Sequence, residues 1–197
     1  MAILLPTSPA PRAAKPRLLR YGSTLTPLVG PSQRISRLGS RFAVDLEFPP
    51  MTAAQARAFI AARLRADTLG EPLRLPFPQP GAVPVAGTPR VNGGGQLGMT
   101  LQADGFSGPV SIPGGQFFSV ETGARSYLYA LGADAEVNSG GAVALSIAPM
   151  LRASPADNAA LTFNSPIIEG FVQGEAVEWS IDLAAIYGLS FTLFEAA

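Results

Sequence analysis

The sequence predicts a mainly β protein: a β-sandwich with one flanking α-helix, interrupted by an inserted small β-barrel or sandwich domain. Three observations predict this fold. Gly (21) and Pro (19) are frequent among the 197 residues, and both weaken helix interiors. Residues 41–48 alternate polar and apolar side chains, as a strand with one buried face does. Beyond residue 96, turn residues separate short apolar runs at intervals of about 8–12 residues, as in a barrel or sandwich.

The clearest predicted strand is residues 41–48. One face carries the apolar side chains of Phe42, Val44, Leu46 and Phe48. The other face carries Arg41, Asp45 and Glu47. Pro49-Pro50 then ends the strand, because proline donates no backbone hydrogen bond.

A helix is predicted for residues 53–66, ending near Gly70. Thr52 followed by Gln55 is the pattern of a capping box, in which side chains satisfy free backbone N–H groups at the helix start. The predicted packing face consists of Ala56, Phe59, Ile60 and Leu64. The arginines Arg57, Arg63 and Arg65 are expected to point elsewhere. We expect this helix to cover one sheet.

Alternating runs continue towards the end of the chain. Residues 142–147 alternate in the middle region, and Val177, Trp179 and Ile181 alternate with polar residues near the end. Leu189, Phe191 and Leu193 form the last run. We expect these last two runs to pair as a closing hairpin. The predicted core residues named with most support are Phe42, Val44, Leu46, Phe59, Trp179 and Phe191.

The pattern divides the chain into three parts. Residues 1–16 predict an extended proline-rich arm, and its stretch 6–16, with four prolines, is expected to be disordered in an isolated copy. Residues 17–75 and 155–197 predict one discontinuous β domain. Residues 85–152 predict the inserted β domain, reached through the connection rich in Pro and Gly between residues 76 and 95.

Composition limits the possible chemistry. The chain has no Cys and no His, which removes disulfides, thiolates and the commonest general base and transition-metal ligand. Charged residues make up only 14% of the chain, and a surface poor in charge is typical of chains covered by neighbours. A monomer with many uncharged loops is the alternative.

Net charge is zero, which gives no reason to expect a nucleic acid partner. The charges are unevenly placed: residues 1–74 hold 11 of the 14 Lys and Arg but 4 of the 14 Asp and Glu. Either basic and acidic surfaces meet, within or between copies, or the basic residues keep a flexible arm in solution. We expect no membrane span and no signal peptide, because the apolar runs are too short.

Candidate chemical groups are better explained as structural. The acid pairs Asp45/Glu47 and Glu175/Glu178 lie on polar strand faces or turns. The Gly-rich segment 92–98 lacks the Lys-Ser/Thr of a phosphate loop. Four possible calcium ligands match no compact loop motif; they are Asp104, Asp134, Glu136 and Asn138. We therefore predict no catalytic, cofactor-binding or metal-binding residues.

Aromatic residues in the middle region permit a different function. Phe117, Phe118, Tyr127 and Tyr129 could stack on sugar rings if they form an exposed face, as in a carbohydrate-binding module. Packing in the core is the alternative. Weaker predictions of subunit contacts fall on these aromatics of residues 116–129, the 6–16 arm and the 76–95 connection.

Several segments taken in order resemble a known family. Residues 23–34 (Ser-Thr-Leu-Thr-Pro-Leu-Val-Gly-Pro-Ser-Gln-Arg) lead into the 41–48 strand, Pro49-Pro50 and an Ala-rich helix. The later segments are residues 114–120, 127–129, 145–152, 154–157, 178–182 and 188–193. Together they resemble distal tail proteins and related baseplate proteins of long-tailed bacteriophages (siphophages) and gene-transfer-agent-like particles. The proline-rich start has no counterpart in this resemblance.

The resemblance implies a tail-tube-like β-sandwich with a flanking helix, interrupted by a small β domain, and no catalytic residues. It implies a structural function: a homo-oligomeric ring, a hexamer, at the tail tip that joins the tail tube to the hub and fibres. Expected partners are copies of the chain, the tube protein and hub or other baseplate proteins. The expected location is the virion, after synthesis in the host cytoplasm. The alternative is a carbohydrate-binding β module of the tail that recognises the host surface.

Overall fold

A computed structural model describes residues 2–36, 39–174, 176–182 and 186–196. In these residues the chain forms 19 strands and one α-helix, which confirms the mainly β fold with a single flanking helix. The elements up to residue 76 are β1 (Ile3–Leu4), β2 (Ala13–Leu19), β3 (Gly22–Leu25), β4 (Gln33–Ser36), β5 (Arg41–Glu47), β6 (Met51–Thr52), α1 (Ala53–Leu69) and β7 (Leu73–Pro76).

The remaining strands fall into a middle group and a final group. The middle strands are β8 (Gly87–Val91), β9 (Thr100–Phe106), β10 (Ser111–Ile112), β11 (Phe117–Thr122), β12 (Arg125–Leu131), β13 (Ala135–Glu136), β14 (Val143–Ala148) and β15 (Leu161–Thr162). The final strands are β16 (Ile167–Val172), β17 (Ser180–Ile181), β18 (Ile186–Gly188) and β19 (Ser190–Glu195).

The first large sheet has six strands in the order β1-β7-β16-β19-β5-β2. All neighbours are antiparallel except β1 and β7, which are parallel. Because β7 and β16 are neighbours, the chain leaves this sheet after Pro76 and returns at Ile167. Every strand of the second large sheet lies between these two points. The second sheet is therefore an insertion in the first.

The helix α1 covers part of the inner face of the first sheet. Its start is held by the Gln55 side chain, whose oxygen accepts the Thr52 backbone N–H at 3.1 Å. Its end is set by Gly70, which adopts a left-handed conformation at φ 63°. Phe59 is fully buried and meets Phe48 with the ring centroids 5.0 Å apart. Among the residues described, no helix combines the length and apolar character needed to cross a membrane.

The second large sheet curls into a nearly closed barrel. Its order is β15-β11-β12-β14-β9-β8. The last strand, β8, meets the chain just before β15 through a bridge between Arg90 and Ala160. The Val91 N–H donates to the Ala159 carbonyl at 2.9 Å, and the Asn158 N–H donates to the Val91 carbonyl at 2.9 Å. Fully buried side chains fill the interior, including Leu101, Phe118, Tyr129, Leu145 and Ile147.

The barrel packs its outer side on the same face of the first sheet that α1 covers. Leu128 of β12 belongs to the core of the first sheet, and Phe117 packs against it. The Phe117 ring lies 5.3 Å from Phe42 and 4.5 Å from Phe77, measured between centroids. The two cores are thus separated by the wall of the barrel, and aromatic contacts join the two units.

The amino-terminal arm differs from its prediction. Strand β1 pairs with β7 and all of β2 pairs with β5, so both ends of the arm belong to the first sheet. Leu5 is 1% exposed. The physical reason is that strand pairing satisfies the backbone groups of extended residues, and β2 lies at the sheet edge, where Pro16 is tolerated. The expectation of disorder over residues 6–16 is therefore wrong for residues 13–16, which pair in β2.

The end of the chain also differs from its prediction. Strand β19 pairs with β5 and β16 in the first sheet, not with residues 177–182. The short β17 pairs with β18, and β18 pairs with β6 in a small three-stranded sheet. Residues 161–162, expected in the first domain, form β15 of the barrel. Alternation identifies a strand but does not reveal its partner, and this explains the error.

The predicted core is confirmed at Phe42, Val44, Leu46, Phe59 and Phe191, all of which are buried. Trp179 is 39% exposed, so its assignment to the core was wrong. On α1, Arg63 is buried while Leu64 is 43% exposed, the reverse of the prediction. The Arg63 guanidinium lies over the Phe191 ring, 4.6 Å from its centroid. A long side chain can bury its stem and stack its charged group on an aromatic face.

Candidate assembly surface

The most exposed segment of the described chain is the hairpin of β3 and β4. The two strands pair from Gly22↔Ser36 to Leu25↔Gln33, and within the described residues they pair with no other sheet. Every residue from 20 to 34 is exposed. Leu28 is 107% and Val29 is 92% exposed at the tip, so the apolar side chains that would normally be covered face solvent.

The hairpin is also basic. Residues 20–36 contain Arg20 and Arg34 and no Asp or Glu. The apolar tip is bounded by Pro27 and Gly30, and Gly30 has a φ of 118°, a conformation that favours glycine. A two-stranded ribbon in water is marginally stable by itself. The hairpin is therefore expected to gain stability when a partner covers its tip.

An open groove of about 560 Å³ lies at the end of the β2–β5 pair that is farther from the hairpin. One side of the groove is the small sheet of β6, β18 and β17, and Trp179 precedes β17. The apolar or aromatic part of its lining includes Trp179, Ile186 and Tyr187. The charged part consists of Glu47, Glu178, Asp182 and Arg12.

Most of the charge in the groove is negative. Arg12 donates to Glu47 and neutralises that carboxylate. Glu178 and Asp182 are both exposed and leave the groove acidic. Trp179 at 39% and Ile186 at 43% exposure give it apolar surface as well. An exposed Trp beside charged groups is a common composition of protein interfaces.

A buried ion pair joins the two β units. Arg152, after the barrel strand β14, donates to Glu195 of β19, and their side chains are 5% and 0% exposed. The other donors to this carboxylate are the Phe42 N–H at 3.0 Å and the Leu128 N–H at 2.6 Å. The Arg152 guanidinium also lies 4.9 Å from the Tyr127 ring centroid and 5.4 Å from that of Tyr129. One carboxylate thus binds backbone from both sheets.

Burial and ion pairing act in opposite directions on the pKa of each group. Burial raises the pKa of Glu195, while Arg152 and the two backbone donors counteract this effect. Burial acts to lower the pKa of Arg152, but Glu195 and Tyr129 outweigh it, so that this pKa is raised. The guanidinium therefore stays charged. This arrangement serves to hold the two units together, since both side chains are buried where the barrel meets the first sheet.

One of the two candidate acid pairs, Asp45 and Glu47, lies in structural contacts. Asp45 accepts both an Arg17 guanidinium N–H at 2.7 Å and the Thr192 hydroxyl at 2.7 Å. Glu47 is paired with Arg12. Glu178 lies in the acidic groove, and Glu175 is outside the described residues. Asp45 and Glu47 thus hold neighbouring strands together through ion pairs and a hydrogen bond.

The Gly-rich segment 92–98 is a closed turn. The Gln96 side-chain amide donates to the backbone carbonyls of Asn92 and Gly93, each at 2.8 Å. The Gly93 N–H donates to Asp157 at 2.8 Å. These contacts close the segment on itself and attach it to Asp157, as in a structural loop next to the barrel seam.

The four possible calcium ligands lie apart, each with a local partner. Asp104 accepts from Arg90 at 2.8 Å, and Asp134 accepts from the Gly114 N–H at 2.7 Å. Glu136 accepts the Ser111 hydroxyl at 2.6 Å. Asn138 accepts from the Gly140 N–H at 2.9 Å. Among the described residues, no group of three or more Asp or Glu side chains is placed to hold a metal ion.

The aromatics of residues 116–129 lie inside the molecule. Phe118 and Tyr129 are fully buried in the barrel, and Phe117 and Tyr127 are partly buried against the two cores. They do not form the exposed face that sugar stacking requires. The 76–95 connection is likewise held in place, because the Gln79 side chain donates to the carbonyls of Phe117 and Phe163 at 3.1 and 2.7 Å.

Glu169 of β16 gives a testable pH dependence. It is 2% exposed. Burial raises its pKa, and the Ser126 N–H with the charges of Arg74 and Arg125 offsets only part of this rise. The folded state therefore holds a proton that the unfolded chain loses near pH 4.3. Stability from this group is present below that pH and decreases as the pH rises through the folded pKa.

The Glu169→Gln variant is expected to equal the parent at low pH and to become the more stable of the two as the pH rises to neutrality. Gln keeps an oxygen that can accept the Ser126 N–H. Urea unfolding at constant protein concentration between pH 3.5 and 7.5 measures the difference. Glu136→Gln, which removes an exposed carboxylate from β13, controls for the change in net charge. A variant that becomes less stable than the parent as the pH rises would contradict the expected sign.

Comparisons with known proteins add no family assignment. A scan against protein-family models finds no match, and neither does a search of the curated proteins. The assembly surface is therefore inferred from this chain alone. The sequence analysis does not single out the Leu28-Val29 pair, which lies beside the turn-forming residues Gly30-Pro31-Ser32. An apolar pair enclosed by turn residues was the signal that could have identified an exposed hairpin tip.

Proposed function

We propose that this protein is a structural component of a bacteriophage tail tip, where copies form a ring that joins the tail tube to the hub and fibres. The observation that carries the assembly is the β3–β4 hairpin, which exposes Leu28 and Val29 without a covering element in the described chain. Exposed apolar side chains at the end of a projecting ribbon are typical of a surface that a neighbour covers.

Two further features support this proposal. The ordered resemblance to distal tail proteins covers most of residues 20–195 and includes the hairpin segment. Asp45 and Glu47, the acid pair of the clearest predicted strand, are engaged in contacts between strands, as Asp45 is with Arg17 and Thr192. The buried Arg152–Glu195 pair joins the two β units, and a closed ring requires subunits of constant shape.

The test is the solution mass of the purified chain, measured by light scattering. A mass near six times the 20.4 kDa of one chain is the expected result. Leu28→Asp combined with Val29→Asp is expected to give a folded monomer, because two charges cannot be buried in an apolar contact without a large cost. Circular dichroism checks that the fold is kept.

The matched control is Leu97→Asp. Leu97 is 68% exposed on the barrel side of the molecule, so this variant places a charge on another apolar surface residue. It is expected to keep the mass of the parent. A parent that is a stable monomer and binds glycans would contradict the ring and favour the carbohydrate-binding alternative.

A further inference from the structure

The hairpin and the groove are complementary in chemistry. The hairpin presents the apolar Leu28 and Val29 with the cations Arg20 and Arg34. The groove presents Trp179 and Ile186 with the exposed carboxylates of Glu178 and Asp182. An apolar centre with opposite charges at its margin is how specific protein contacts are built.

The two features lie at opposite ends of the same strand pair. In the β2–β5 ladder, Leu19 pairs with Arg41 at the hairpin end, and Ala13 pairs with Glu47 at the groove end. Seven residues at about 3.3 Å each separate these ends by roughly 20 Å. The hairpin follows Leu19 and leads back to Arg41, so it is attached at the end of the ladder away from the groove. A hairpin attached at that end is available to the groove of another copy.

We propose that the hairpin tip of one copy binds in the acidic groove of the next copy. This inference rests on the proposed ring and names the contact that forms it. The contact is head-to-tail, because one surface of a copy meets a different surface of its neighbour. A head-to-tail contact repeats from copy to copy and closes into a ring when its rotation allows. Leu28 and Val29 would cover the Trp179 ring, and Arg34 would face the Glu178 and Asp182 carboxylates.

The absence of cysteine from the sequence makes the contact directly testable. Two single-cysteine variants are prepared: Leu28→Cys at the hairpin tip and Ser190→Cys, an exposed position in the lining of the groove. They are mixed in equal amounts and oxidised mildly. The control partner is Leu97→Cys, exposed on the barrel. The expected yield of the disulfide between positions 28 and 190 exceeds that of the disulfide between positions 28 and 97 by about tenfold or more, because assembly raises the local thiol concentration.

The outcomes separate this contact from the ring itself. An oligomer in light scattering together with equal yields of the two disulfides would overturn the groove contact and leave the ring in place. A monomer with equal yields would overturn both. A carbohydrate that binds the groove while the disulfide between positions 28 and 190 fails to form would overturn the contact and assign the groove to a glycan. Only a selective disulfide between position 28 of one copy and position 190 of another supports the inference.

Discussion

Replacing Glu195 with Gln is expected to lower the free energy of unfolding at pH 7 by about 3–5 kcal/mol, the usual cost of removing one partner of a buried ion pair. The change keeps the shape of the side chain but leaves the Arg152 guanidinium uncompensated. Within the described residues, Nε and Nη1 of Arg152 already have no acceptor. The Gln amide would also place a donor against the N–H of Phe42 or Leu128. Urea unfolding at constant protein concentration measures the loss.

Removing Arg152, the other partner of the pair, is expected to lower the free energy of unfolding by an amount that depends on pH. In Arg152→Met, Glu195 keeps its two backbone donors, but burial then raises its pKa with less opposition. The folded state holds the proton to a higher pH than the unfolded chain does. The loss is therefore small at acid pH and grows as the pH rises. At neutral pH it is expected to be smaller than the loss in Glu195→Gln, because a carboxyl can take up a proton and an arginine cannot release one.

The control for these variants is the exposed pair of Arg90 and Asp104. Its side chains are 50% and 30% exposed, with the charged atoms 2.8 Å apart. Asp104→Asn is expected to cost less than about 1 kcal/mol, since water screens such a pair. If Glu195→Gln also cost less than about 1 kcal/mol, the buried pair would not be the contact that holds the two units together.

Replacing Gly170 with Ala is expected to destabilise the protein by about 3 kcal/mol or more, at the upper end of overpacking effects. A Cβ at this position would lie 1.9 Å from the carbonyl oxygen of Phe194 and 2.6 Å from its carbonyl carbon. These are backbone atoms, so a rotamer change cannot relieve the clash. The ladder between β16 and β19 would have to shift. Gly170 also pairs with Glu195, so the shift would move the buried carboxylate.

Thermal unfolding and urea unfolding measure this effect at constant protein concentration. Gly140→Ala is the matched control, because its Cβ would meet only the Asn138 side-chain oxygen at 3.3 Å. We expect its stability to stay within about 0.5 kcal/mol of the parent, as is usual for surface positions. A Gly170→Ala variant of parental stability would show that the two strands can separate without cost.

The buried pair and the hairpin act on different levels of the proposed assembly. Arg152 and Glu195 hold the barrel against the first sheet within one copy. The hairpin and the groove would then connect copies of a subunit whose shape is fixed. A subunit that bends at the junction would present its groove in varying directions, and a ring closes only with a constant rotation between neighbours. Loss of the ion pair is therefore expected to weaken assembly as well as folding.

The sequence by itself determined the elements whose signals are local. The alternation of residues 41–48 identified β5 and its buried face, because side-chain direction in a strand has a period of two. Thr52, Gln55 and Gly70 located both ends of α1, since the unpaired backbone groups of a helix terminus need particular residues. The absence of His and Cys and the frequent Gly and Pro indicated the mainly β class and the limited chemistry.

Only the tertiary structure decided which elements meet. Pairing of β19 with β5 and β16, and of the proline-rich arm with β5 and β7, joins residues far apart in the sequence, and alternation carries no information about the partner. Arg63 is buried against expectation because an arginine can stack its charge on Phe191. Trp179 is exposed against expectation because it precedes the short surface strand β17. The Arg152–Glu195 pair and the hairpin at the far end from the acidic groove exist only once those strands have paired.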